Sequence, residues 1–292
     1  MEGGGFGRPA QRLVIAAVLI AVCSLAGRAA SRSTPEIGSV LDRVGERIAG
    51  YYSRAQSLVC IETSTVQPIH TNWSVDGFAR TVESELRIEA NATTRREIRR
   101  VNGRQPRKRD EKDRAGCTDP DVLSQEPLAF LLPEGRAAFD FTGVREGRDG
   151  DRPAFVIDFV SVNRKSKAEL IEDPRGHDDC FDWSGPIARR GQIWVDATSY
   201  DVLRVERYNT GPVDLRIPWA MQRRYNFDAF VTLDRDDLTL RYQNVSFSDP
   251  DEVVVLPTSI VSLTVVRTGL QSTRRTVTFS DYRRFLTSGR IR

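Results

Sequence analysis

Only two histidines, His70 and His177, stand among 292 residues, and neither sits in a spacing that catalysis uses. The densest set of metal-competent atoms is His177-Asp178-Asp179-Cys180. Consecutive residues in a loop rarely converge on one ion, so the plainer reading is a solvated loop ending in a disulfide. Carboxylate pairs such as Asp178-Asp179 and Asp236-Asp237 are expected anywhere in a chain that is 28% charged, and they carry no acid–base signal. No Gly-x-Ser-x-Gly elbow, His-Glu-x-x-His pair, phosphate loop or Cys-x-x-Cys is present. The residues predict no catalytic site, no metal and no cofactor. The expectation is a protein that is not an enzyme.

Two other patterns bear on binding. From Arg95 to Arg114 there are ten Lys/Arg against four Asp/Glu, which could meet anionic lipid headgroups or another acidic surface. A charged strand face followed by a solvated loop explains the same residues more simply. The second pattern is a set of apolar residues at alternating positions: Phe139, Phe141, Phe155, Ile157, Phe159, Ile193, Val195, Leu203, Val205, Val261, Leu263 and Val265. Either they line a ligand cavity or they form a packed core, and the alternation fits both.

The N-terminus reads as an export signal. Arg8 and Arg12 precede the apolar run Leu13–Ala26, followed by small residues at Gly27, Ala29 and Ala30. At 14 residues the run falls short of the ~20 needed to span a bilayer. Residues 1–30 are therefore read as a signal peptide, cleaved between Ala26 and Ser31, with no transmembrane segment left afterwards. Val22 is too bulky for Cys23 to be a lipidation site. Residues 31–292 then hold 40 basic and 39 acidic side chains, a balance that argues against nucleic-acid binding. Cys60, Cys117 and Cys180 remain. Cys117 and Cys180 lie in polar, turn-rich stretches and Cys60 inside an apolar one, so Cys117–Cys180 is the expected disulfide. Closing a loop of roughly 60 residues would contribute about 4 kcal/mol.

The elements that must position these residues are mostly strands. A helix is expected over 34–56, with Thr34 as N-cap, Pro35 at its first position, and Ile37, Val40, Leu41, Val44 and Ile48 on one face. Strands follow at 58–66, near 82–88, where Glu83, Glu85 and Arg87 form the wet face, and at 94–101, ending in an Asn102-Gly103 turn. Long loops are expected at 103–125 and 163–187, with a short apolar helix at Pro127–Leu132 that stops at Pro133. Strands then lie around Phe139–Phe141 and at 154–160. Gly191–Asp196 and Asp201–Tyr208 make the clearest hairpin in the chain. Its residues Ile193, Val195, Leu203 and Val205 point to the covered face and Trp194 to the polar one. Residues 212–218 read as a linker, and strands at 220–232, 237–247, 252–256, 258–267 and 273–285 follow, with Pro257 separating two of them.

The hairpin also carries a resemblance. Gly191-Gln-Ile-Trp-Val-Asp196 followed by Asp201-Val-Leu-Arg-Val205 resembles a hairpin of bacterial exported proteins related to outer-membrane lipoprotein carriers, the LolA-like group. Asp249-Pro-Asp-Glu252 with Leu256-Pro257, and Asp281-Tyr-Arg-Arg-Phe285, extend it over the C-terminal third. The resemblance implies an α+β fold: a large, curved antiparallel sheet forming an open half-barrel, with a long N-terminal helix as lid and a concavity that can hold an acyl chain. The reading is a single domain over 31–292 of a periplasmic or secreted envelope protein that binds a lipid or other apolar ligand. The competing reading is a structural or protein-interaction module with a packed core and an envelope protein as partner.

Overall fold

The computed structural model describes residues 35–89, 94–106, 127–174, 176, 180–267 and 269–284. The export segment, Cys117, most of the 103–125 loop, and His177, Asp178 and Asp179 lie outside them. Helix α1 spans Ile37–Arg54 and buries Val40, Val44 and Ile48 to 2% exposure or less. Its N-cap is Glu36, so Pro35 precedes the helix, and Thr34 lies outside the described residues. Its first backbone bond runs from Val40 N–H to Glu36 O, and its first residue, Ile37, also opens the apolar stripe. At the far end the Arg54 side chain donates to Gly50 O, complementing the carbonyl end of the helix.

The strands are β1 (Leu58–Ile69), β2 (Arg80–Ile88), β3 (Thr94–Val101), β4 (Phe139–Asp149), β5 (Arg152–Ser161), β6 (Glu169–Glu172), β7 (Phe181–Ser184), β8 (Arg189–Asp196), β9 (Val202–Asn209), β10 (Val213–Arg216), β11 (Phe230–Ser248), β12 (Asp251–Val266) and β13 (Ser272–Arg284). They form one sheet in the order β3-β2-β1-β13-β12-β11-β9-β8-β5-β4, with β10, β6 and β7 attached alongside β11. The ladders are antiparallel except for a single β6–β10 contact. The path is open, with β3 and β4 as its edges. Laid flat, ten strands would hold those edges about 43 Å apart. Instead Arg96 of β3 and Phe139 of β4 line one cavity, so the sheet curls. α1 fills part of the concave side, where it packs with Cys60, Leu86, Ile193, Leu240 and Val277.

The helix is tied to the opening of the β8–β9 hairpin. Arg47 donates to Ser199 O at 2.7 Å, and the Arg43 guanidinium lies 4.8 Å from the Tyr200 ring. Asp196 builds that turn: its carboxylate accepts from the N–H groups of Thr198 and Ser199 and from Arg152. Burial pushes the Asp196 carboxyl up, but those donors outweigh it and hold it below the usual range.

Several expected elements come out differently. The short apolar helix ends before Pro133 as expected, but it is a single 3₁₀ turn, Ala129–Leu131. Pro133 opens the one-turn helix α2 (Pro133–Arg136), where its missing N–H costs nothing. The 163–187 stretch is not all loop, since it contains β6 and β7, and the 212–218 linker contains β10. Residues 220–225 belong to helix α3 (Trp219–Tyr225), started at Pro218 and ended by Asn226 in the left-handed conformation, φ 55°. Pro257 does not divide a strand. A bulge beside it pairs Tyr242 with Pro257 and Arg241 with Ser259, leaving Thr258 as the extra residue, so no ladder N–H is needed from proline. Glu85, expected on a wet face, is 9% exposed beneath Arg87 and Arg99, which both pair with it.

Cys60 is 1% exposed and free. Burial, helped by Glu62 and opposed by Arg96, pushes its thiol up to about 12. Cys180 is 4% exposed, and its expected partner Cys117 lies outside the described residues. Non-reducing peptide mapping is expected to return a Cys117–Cys180 cross-linked peptide, and iodoacetamide at pH 8 to leave Cys60 unmodified in the folded protein. Cys60 in the bridge, or rapidly alkylated, would refute both.

Candidate ligand-binding cavity

Between the concave face and α1 lies a cavity of about 580 Å³. Its apolar wall is built from Phe139, Phe159, Leu238, Leu240, Ile260 and Phe279, each projecting from a strand onto the inner face. Tyr51 of α1 and Phe130 of the 3₁₀ turn close it from above. The Phe130, Phe139 and Phe159 rings pack edge-on or tilted, with centroids 5.2–5.6 Å apart.

The predicted lining residues divide into three groups. Phe139 and Phe159 line the cavity. Phe141, Phe155, Ile157, Ile193, Val195 and Val205 share its face of the sheet but are packed into the core around α1. Leu203, Val261, Leu263 and Val265 are not on the lining. At Leu203 a bulge is responsible: Trp194 pairs with Arg204 but Val195 with Val202, which rotates Leu203 to the opposite face. There it packs with Ala154, Val156 and Trp194. Trp194 thus finds its cover on the outer face, where the Arg204 guanidinium stacks 3.6 Å from its ring. In β12 the lining falls on Ile260, Ser262 and Thr264, one residue out of phase with the prediction, while Val261 is 40% exposed and Val265 is buried elsewhere. β12 is apolar on both parities, so alternation could not choose between its faces.

Charged residues on the inner face are what the apolar pattern missed. Glu62, 1% exposed on β1, accepts from Arg96 Nη2 at 2.8 and 3.1 Å; Arg96 sits on β3 and reaches over β2. At the other end Arg189 of β8 is paired closely with Asp236 of β11, and Arg207 of β9 stands beside them. A signal existed in the sequence: Glu62 is in phase with Cys60 and Arg207 with Val205, charges on an apolar parity. The Tyr242 hydroxyl is also buried on this face with no hydrogen-bond partner among the described residues, and burial raises it well above its ordinary value. Among the described residues no three His, Cys, Asp or Glu side chains converge for a metal ion. No helix among them is long and apolar enough to cross a membrane.

An open antiparallel sheet curled round one long helix, with a cavity between, is an α+β half-barrel. No protein-family model matches the chain, and no curated protein matches it. Among solved structures it is similar to an outer membrane lipoprotein-sorting protein domain, so designated, from Vibrio parahaemolyticus, at 12% identity over 87% of this chain and 94% of that one, TM-score 0.35. It is similar also to a LolA superfamily protein from Nitrosomonas europaea, at 11% identity over 85% and 93%, TM-score 0.30. A DUF1329 family protein from Desulfovibrio piger gives 8% identity over 86% and 94%, TM-score 0.35.

Proposed function

We propose that residues 31–292 form one half-barrel domain of an exported, non-enzymatic envelope protein, periplasmic or secreted, that holds a lipid or other apolar ligand in the concavity. The observation that carries this reading is the cavity itself. At about 580 Å³ it lies within the range of small-molecule sites, and a helix-plugged sheet with no such role would be filled by its own side chains. The wall is mainly apolar and aromatic. Charged groups cluster on β1 and β3 (Glu62, Arg96) and on β8, β9 and β11 (Arg189, Arg207, Asp236), with Ser262, Thr264 and Arg275 on the strands between.

A structural or protein-interaction role without a ligand has one observation in its favour. The loop between β1 and β2 exposes Trp73, Val75 and Phe78, the last at 97%. Side chains so exposed suit contact with an envelope protein. Native mass spectrometry of the protein purified from its own envelope separates the readings. A mass excess matching one lipid per chain, lost on organic extraction, is the expected result. Preparations that stay at the bare chain mass would sink ligand carriage and favour the interaction module.

A further inference from the structure

Arg207 occupies an unusual position for a charge. It follows Val205 by two residues on β9, so it shares the inner face, flanked in the ladder by Gly191 and Leu238. Its side chain lines the cavity. No ion pair or hydrogen bond reaches it from any described residue, and its Nε is buried without a partner. Asp236, whose charge acts on Arg207, is already taken by Arg189, which also donates to Asp236 O at 3.3 Å. Glu62 is held by Arg96, and Asp182 at the same end is engaged by other groups. The described lining therefore carries four arginines against three acids, and the surplus sits at Arg207. Arginine cannot shed its proton, so this charge is not relieved by neutralisation. Burial and the neighbouring Arg189 nonetheless pull its affinity for that proton down, with Asp236 opposing them. A half-buried guanidinium with no carboxylate of its own carries a desolvation cost that a bound anion would offset.

Resting on the cavity reading above, we infer that the ligand is an acyl amphiphile with an anionic head, a carboxylate or a phosphate, seated on Arg207 beside Arg189. Its chain runs along Phe159, Leu238 and Leu240 toward Tyr51. The planar guanidinium offers the paired donors that such a head accepts. The Arg189–Asp236 pair holds the second guanidinium in place.

The test uses the delipidated chain at pH 8 with two fluorescent probes, cis-parinaric acid and its neutral methyl ester. The acid is expected to bind about tenfold or more tightly than the ester, the ratio a charge-assisted hydrogen bond supplies. Arg207→Met should abolish that preference by lowering acid affinity toward that of the ester, and the ester binding it retains shows that the cavity persists. Arg207→Lys should keep most of the preference. Equal binding of acid and ester by the native chain would overturn the head-group assignment and leave the cavity reading standing. Binding of neither probe would overturn both. Inorganic phosphate alone, displacing the acid completely at a small excess, would mark a site for free anions and overturn the amphiphile.

Discussion

Arg96→Met is expected to cost about 3–5 kcal/mol of folding stability, the usual penalty for stranding one member of a buried ion pair. Glu62 lies at 1% exposure on the inner face of β1, and Arg96 contacts both of its carboxylate oxygens. Without that guanidinium the carboxylate is left among Leu86, Phe279 and the cavity. The neighbouring Arg95–Glu89 contact gives the contrast. It is as short, at 2.9 Å, but the arginine is 73% exposed, so its loss should cost under ~1 kcal/mol. The double variant Glu62→Leu with Arg96→Met should regain most of the loss, because an apolar pair of similar volume is often neutral or stabilising. Urea unfolding of the four proteins closes the cycle and isolates the coupling. An Arg96→Met penalty below about 1 kcal/mol would mean that Glu62 is solvated. Because Arg96 reaches across β2 from an edge strand, amide exchange in β3 should rise in the single variant and fall back in the double.

The scaffold was legible in the sequence where one physical rule acted alone. The apolar stripe of α1 and the Asp196 turn of the β8–β9 hairpin needed only periodicity and local hydrogen bonding. The elements that were misread had two rules in competition. Trp219 and Tyr225 have strand propensity, but Pro218 and Asn226 cap them into a helix. Pro257 forbids an ordinary ladder, yet a bulge lets β12 run through. Leu203 follows the alternation of its strand in sequence and leaves it in space, because a bulge is a register event that composition does not encode. The cavity was legible only in part for a different reason. Period-two reasoning searches for apolar residues on the covered face, and the diagnostic residues there are the exceptions, Glu62, Arg96, Arg189, Arg207 and Asp236. Each found its meaning through partners distant in sequence: Glu62 and Arg96 are brought together only when three strands are in register.

Gly191→Ala is expected to destabilise the fold by on the order of 3 kcal/mol, at or above the upper end of ordinary overpacking. A methyl group at that position would lie 1.9 Å from Glu206 O and 2.6 Å from the Phe159 ring. The carbonyl belongs to the paired strand β9 and cannot withdraw without disturbing the ladder, and the Phe159 ring, which lines the cavity, would have to move as well. For a chain of this size the loss should lower the melting temperature by roughly 6–12 °C. Gly211→Ala is the matched control, since nothing lies within 4 Å of its added methyl and its backbone is not left-handed. It should change stability by less than ~0.5 kcal/mol. An equal, small effect of both substitutions would show that β8 and β9 are not in close register at Gly191. The same substitution also reads out on binding. The Phe159 ring is both the contact over Gly191 and part of the cavity wall, so whatever fraction of Gly191→Ala folds should bind apolar probes more weakly. The glycine that opens the hairpin thus sets how near β9 approaches β8 and, through Phe159, how much room remains beside Arg207.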